Sequence, residues 1–198
     1  MGALALSKGR VFGRGLTALL IALSLAGIAR IAAGAMIPAK AAVAQILLER
    51  AFDRSVTLHR PVKPWSWADM APVARIAVPR LDIDRIVLDT GSGQAMAFGP
   101  TLLPAAAGIG ESGTTVIAAH RDTHFRFLKN VRKGDVIDLE GLDGINHPYV
   151  VTGAEIVRWD RFAIPDLRGK RLALATCYPF GAIHHGALRY VVQAVAAR

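Results

Sequence analysis

Leu-Ala-Leu-Ala-Thr-Cys, residues 172–177, is a short alternating run that closes on the one cysteine of a 198-residue chain. A period of two puts Leu172, Leu174 and Thr176 on one face and Ala173, Ala175 and Cys177 on the other, which predicts a β-strand whose thiol stands over a surface of small residues. Twelve residues later, past a loop holding Pro179, Gly181 and Gly186, Arg189 opens a second strand-like run, Arg-Tyr-Val-Val-Gln-Ala-Val. A hairpin joining the two runs brings Arg189 back beside Cys177. A lone thiol makes no disulfide within its own chain, so it is either an inert buried hydrophobe or a reactive nucleophile. The small-residue face beside it favours the nucleophile.

Outward from this pair the same pattern repeats. Strands are expected at 74–78, 86–88, 114–119, 135–139, 149–159, 171–176 and 189–196, with Gly134, Gly141, Gly144 and Gly169 at the breaks. A short helix is expected around Gln94 to Phe98, and another from Thr123 to about Gly134. Seven or eight short strands at this spacing predict a mainly β fold, a closed or nearly closed β-barrel with short helices.

The net charge is +9, and its distribution matters more than its size. Residues 1–50 hold six Lys/Arg against Glu49 alone, +5, and the remaining 148 residues carry +4. No basic block or aromatic-and-Arg cluster follows, which argues against nucleic acid as a partner. Lys8, Arg10 and Arg14 instead precede the uncharged run Leu16 to Ala29, and apolar character continues beyond Arg30 to Ile37. Leu16 to Ile37 is 22 residues, enough to span a bilayer with Arg30 tolerated at about 2.5–3.5 kcal/mol, less if it snorkels. The other reading is a secretory signal cleaved behind Ala33-Gly34-Ala35.

The uncleaved anchor is preferred, and either reading exports the rest of the chain, because the positive flank stays inside. The expected organisation is a cytoplasmic basic N-terminus (1–14), a transmembrane anchor (15–37), a helical stalk and Trp/Pro linker (38–70) and a catalytic barrel (71–198). Trp65 and Trp67 in the linker are expected to pack on the domain or meet lipid headgroups.

His120 ends the apolar run Val-Ile-Ala-Ala and opens the polar turn His-Arg-Asp-Thr-His. On position alone it is equally a capping residue or a functional group held at a barrel rim. His120 and His124 sit four apart, as two metal ligands on a helix would, but no third ligand stands at a matching spacing. Glu111, Asp160 and Asp166 are acidic loop residues without a calcium-binding pattern. Thiol, imidazole and guanidinium together are chemically complete. A thiolate attacks, an imidazole relays protons between leaving and incoming groups, and an arginine holds a carbonyl oxygen as charge develops.

Leu-Ala-Thr-Cys (174–177), Thr-Val-Ile-Ala-Ala-His (115–120) and Leu-Arg-Tyr-Val-Val (188–192) resemble a sortase. Pro-Trp-Ser-Trp-Ala-Asp (64–69), Pro-Val-Ala-Arg (72–75), Ala-Phe-Gly-Pro (97–100), His-Arg-Asp-Thr-His-Phe (120–125) and Thr-Cys-Tyr-Pro-Phe (176–180) resemble the Gram-negative group of that family. The resemblance implies a cysteine transpeptidase on a barrel of about eight strands behind an N-terminal membrane helix. It implies His120 as general acid and base, Cys177 as nucleophile and Arg189 as the carbonyl clamp, with Ala119, Ala175 and Thr176 expected to bind substrate.

The implied substrate is a secreted protein ending in a Leu-Pro-x-Thr-Gly-like sorting signal, cleaved through a thioester that an amine resolves, with no cofactor and no metal. The implied location is the inner membrane, with the barrel in the periplasm and lipid around the anchor. Ala173 stands where the family usually has Thr, and Ala119 where it usually has Gly. Both changes bear on pocket shape rather than on the reacting groups.

Two alternatives remain at this level: a cysteine endopeptidase that resolves the intermediate with water, and a non-catalytic peptide-binding barrel with an inert thiol. For the anchor, mass spectrometry of the mature protein should find residues 1–37 retained. A chain beginning near Met36 would replace the anchor by a cleaved signal.

Overall fold

The computed structural model describes residues 3–90, 92–161, 169–184 and 186–197, so Asp166, named above, lies outside the described residues. Two compact units divide the chain, Met1–Val43 and Ala44–Arg198.

The N-terminal element, α1, runs from Ala3 to Leu58 and continues through Pro38. Its Ala/Leu-rich composition favours helix throughout. The stretch from Gly15 onward is long and apolar enough to cross a membrane. The helix ends at His59, which takes the left-handed conformation (φ 50°). The His59 N–H donates to Val56 O (3.2 Å) and the Arg60 N–H to Ser55 O (3.1 Å), the paired bonds of a Schellman cap. Pro61 and Pro64 follow and forbid further helix.

Eight strands close the barrel. They are β1 (Pro72–Val78), β2 (Ile83–Leu88), β3 (Thr101–Leu102), β4 (Gly113–Ala118), β5 (Val136–Gly141), β6 (Asn146–Arg158), β7 (Lys170–Tyr178) and β8 (Leu188–Ala196). Around the barrel the order is β1-β2-β3-β4-β7-β8-β6-β5, with β5 returning to β1. The expected strands are all present, with ends shifted by a few residues. The added one, β3, pairs with β2 through a single residue pair, Leu88 with Thr101, and is too short to show any periodicity. Of the two expected helices, the first is a 3-10 turn at Ala95–Ala97 and the second a 3-10 turn at Arg126–Asn130.

The barrel interior is one apolar cluster that includes Ile76, Val87, Ile117, Leu139, Tyr149, Leu172, Leu174 and Val192. A second cluster lies outside β1 and β2. There α1 lays Leu48 and Phe52 against Met70, Ile86, Leu88 and Ala95, with Trp65 and Phe98 packed at its edge. Phe52 is 1% exposed, and the Arg75 guanidinium lies 5.2 Å from its ring centroid. The two linker tryptophans divide: Trp65 meets Phe98 edge to face at 5.5 Å, whereas Trp67 is exposed.

Residues 44–58 of α1 are thus part of the folded unit and not only a tether. Phe52→Ala should cost about 3–5 kcal/mol in urea unfolding of the detergent-solubilised chain. An unchanged midpoint would detach the helix from the barrel.

Candidate active site

β7 lies between β4, to which it is parallel, and β8, to which it is antiparallel. The parallel register pairs Ala118 with Ala175. His120 and Cys177, each two residues further on, therefore reach the same height on neighbouring chains. The antiparallel register sets Cys177 directly opposite Arg189. Residues so opposed share a face, with Cα atoms about 4.5–5.5 Å apart. The cysteine is thus flanked by the histidine on one side and the arginine on the other.

Alternation along β7 places these groups outside the barrel. Leu172 and Leu174 belong to the interior cluster. Ala173 instead joins Val116 and Val191 in a cluster on the outer face, with Ala175 packed against it. Above that face is a cleft of about 310 Å³, lined by His120, Cys177 and Arg189. Val116, Ala118, Ala175 and Val191 form its apolar floor, and Met96, Leu103 and Trp159 its walls. Cys177 is partly exposed within it, a setting unlike that of an inert core thiol.

The expected substrate-binding residues Ala119, Ala175 and Thr176 all line the cleft. They also hold it together. The Ala119 N–H donates to Ala175 O (3.2 Å), and the Thr176 hydroxyl donates to Ala119 O (2.7 Å). Thr176 is 2% exposed, so its hydroxyl locks the peptide before His120 to the strand that carries Cys177. The Arg189 guanidinium uses Nη1 for the carbonyls of Gly186 and Leu188, both at 2.9 Å. Its other N–H groups make no protein hydrogen bond among the described residues, which suits a carbonyl oxygen in the cleft.

Periodicity did not point to Met96, Leu103 or Trp159 as walls, because each comes from a loop or a strand end. Met96 rides on the 3-10 turn at Ala95–Ala97, which is held from two sides. Gln45 of α1 donates to Phe98 O (2.8 Å), and His124 Nε2 donates to Ala97 O (3.3 Å). His124 therefore braces the turn that carries Met96, and itself lies in a turn rather than on a helix. Among the described residues, no group of three or more His, Cys, Asp or Glu gathers as a metal site.

Burial holds the pKa of His124 below its ordinary value. The charges of Arg85 and His120 act in the same direction, and the bond to Ala97 opposes them. The folded state then binds fewer protons than the unfolded chain as pH falls through about 6.5. Stability contributed by this residue is complete above that pH and is lost below it. The thermal midpoint should fall between about pH 7 and pH 5. His124→Gln, which keeps a donor for Ala97 but does not titrate, should flatten the slope, and an identical slope in that variant would remove His124 as its source.

A family model described as the sortase domain matches residues 76–197, more than half of the chain. Sortase D of Bacillus subtilis (strain 168) is 34% identical over 84 residues, which is 41% of this chain and 42% of that protein. The chain thus matches about two-fifths of that relative's length. Among solved structures, sortase A from Corynebacterium diphtheriae superposes with a TM-score of 0.60 at 20% identity, over 79% of this chain and 85% of that one. Sortase C-1 from Actinomyces oris gives 0.57 at 23% identity, over 64% and 75%. Sortase E from Streptomyces avermitilis gives 0.55 at 26% identity, over 64% and 88%.

Proposed function

Because the chain belongs to the sortase family, we propose that it is a membrane-anchored cysteine transpeptidase that cleaves a Leu-Pro-x-Thr-Gly-like C-terminal sorting signal and passes the acyl group to an amine. The observation that carries this reading is the register that brings Cys177, His120 and Arg189 to one cleft over an apolar floor. The assignment to the Gram-negative group rests on the sequence runs quoted above. With it go residues 1–14 in the cytoplasm, 15–37 across the inner membrane among its lipids, 38–70 as the stalk and linker, and the barrel from 71 on in the periplasm. The partner is a secreted substrate protein.

In this mechanism the Cys177 thiolate attacks the scissile carbonyl carbon, forming a C–S bond and placing negative charge on the oxygen. Arg189 holds that oxygen, a role a permanently charged planar donor suits. The intermediate collapses as the C–N bond breaks, and His120 gives its proton to the departing amine. A thioester remains. An incoming amine then loses a proton to His120 as it attacks the thioester carbonyl, the C–S bond breaks, and the thiolate is restored with a new amide formed. The floor of Val116, Ala118, Ala175 and Val191 supplies contact for an extended peptide and excludes water from beneath the reacting carbonyl.

Full-length protein in detergent, given such a peptide and an amine, should yield the amide product. Cys177→Ala should abolish it. Arg189→Lys should lower kcat by about 10²-fold or more, as the loss of an oxyanion donor does elsewhere. Turnover retained by the alanine variant would overturn the mechanism, and unchanged kcat in the lysine variant would remove the arginine from it.

A further inference from the structure

The residue after His120 is a buried arginine. Arg121 is 6% exposed, and its guanidinium reaches across to the loop that joins β7 to β8. Nη2 donates to Ala182 O and to His184 O, the latter at 3.2 Å. Nε donates to Asp122 at 3.3 Å, through a carboxylate whose side chain is 62% exposed. Nη1 is buried without a protein partner among the described residues.

As a stabilising element this is a poor arrangement. A guanidinium cannot shed its charge, its one ionic partner stands largely in water, and part of its donor set is unmet. An apolar side chain of similar size would bury at lower cost. What the arginine does achieve is a fixed bond geometry to two carbonyls of one loop, which a point charge such as lysine does not reproduce.

Besides these bonds, the Trp159 N–H donates to Ala187 O (2.9 Å) near the start of β8 and the Ala182 N–H to Pro179 O (3.4 Å), and little else fixes the tip of the loop. Gly181 is in the left-handed region (φ 77°), and Ile183 is 93% exposed, so side-chain burial does not hold the segment beyond Phe180. Further along, Gly186 O accepts Arg189 Nη1. The loop backbone is thus gripped by Arg121 at Ala182 and His184 and by Arg189 at Gly186, one arginine beside His120 and the other opposite Cys177.

We propose that Arg121 is a positioning residue that acts through the β7–β8 loop on Arg189, holding the loop so that the Gly186 carbonyl orients the Arg189 guanidinium over the thiol. The inference rests on the transpeptidase reading for its kinetic consequence but not for its structural one. Since Arg189 engages the oxygen as charge develops, loss of its orientation lowers kcat more than it raises KM.

Full-length protein in detergent carries the test. Arg121→Met should lower kcat for the donor peptide about 10- to 100-fold, as small misplacements of catalytic groups do, with KM changed by less than about threefold. Arg121→Lys should recover only part of the loss. Adding Arg121→Met to Arg189→Lys should cost little beyond Arg189→Lys alone, because the group being oriented is already gone.

Additive losses in the double variant would overturn the proposal, as would a fallen thermal midpoint with unchanged kcat. Hydrogen exchange across residues 179–188 needs no turnover. It should rise in Arg121→Met, and in Arg121→Lys should the methionine variant not fold, while the barrel strands stay protected. Unchanged exchange there overturns the proposal even with an active enzyme, whereas faster exchange in a protein inactive toward every donor peptide supports the loop contact and removes only the transpeptidase reading.

Discussion

Pairing of β7 with a parallel neighbour on one side and an antiparallel neighbour on the other is the constraint on which the site depends. A parallel pair runs its chain ends to the same edge, so residues after β4 and residues late in β7 meet at one rim. An antiparallel pair returns the chain to the same place from the other direction, which sets the start of β8 against the end of β7. Together the two registers bring the side chains of positions 120, 177 and 189 to one height. A slip of one residue in either register would turn a partner of the thiol to the barrel interior.

The surrounding side chains stiffen that edge in different ways. Thr176, on the inner face, gives its hydroxyl to the carbonyl of Ala119, so the residue before the cysteine ties down the residue before the histidine. Small residues at 118, 119 and 175 leave open the volume that the cleft occupies. Gln45 and His124 hold adjacent carbonyls of the segment that carries Met96, a residue lining the cleft. Through Gln45 and the packed residues Leu48 and Phe52, the later part of α1 supports the cleft wall as well as joining the barrel to what precedes it. Buried arginine and exposed loop meet on the remaining side, where Arg121 holds carbonyls that packing leaves free.

Much of this was legible in local pattern. Leu172 to Cys177 alternates strictly, and the structure turns Leu172 and Leu174 inward and Ala173 and Ala175 outward as that alternation requires. The span from Gly15 onward reads as helix from composition alone. By contrast, β3 has two residues and no period of its own, and it exists because β2 and β4 offer it pairing partners. A helix is expected from Thr123 to about Gly134, but a 3-10 turn at Arg126–Asn130 satisfies the backbone between His120 and β5. Trp159 and Met96 look like ordinary apolar residues in sequence. They become cleft walls because the ends of β6 and the segment before β3 project past the sheet.

By itself the sequence determined where a thiol, an imidazole and a guanidinium stand in the chain and which faces residues 172–177 take, because side-chain chemistry and a strand's two-residue period are local properties. It also determined that the first segment is apolar enough to span a bilayer, which depends only on the run of side chains. The tertiary structure alone decided that His120 stands beside Cys177, that α1 braces the cleft, and that Arg121 reaches a loop some sixty residues away. Those facts depend on strand order and register, and order and register are settled by the closure of all eight strands around one core, which no single segment encodes.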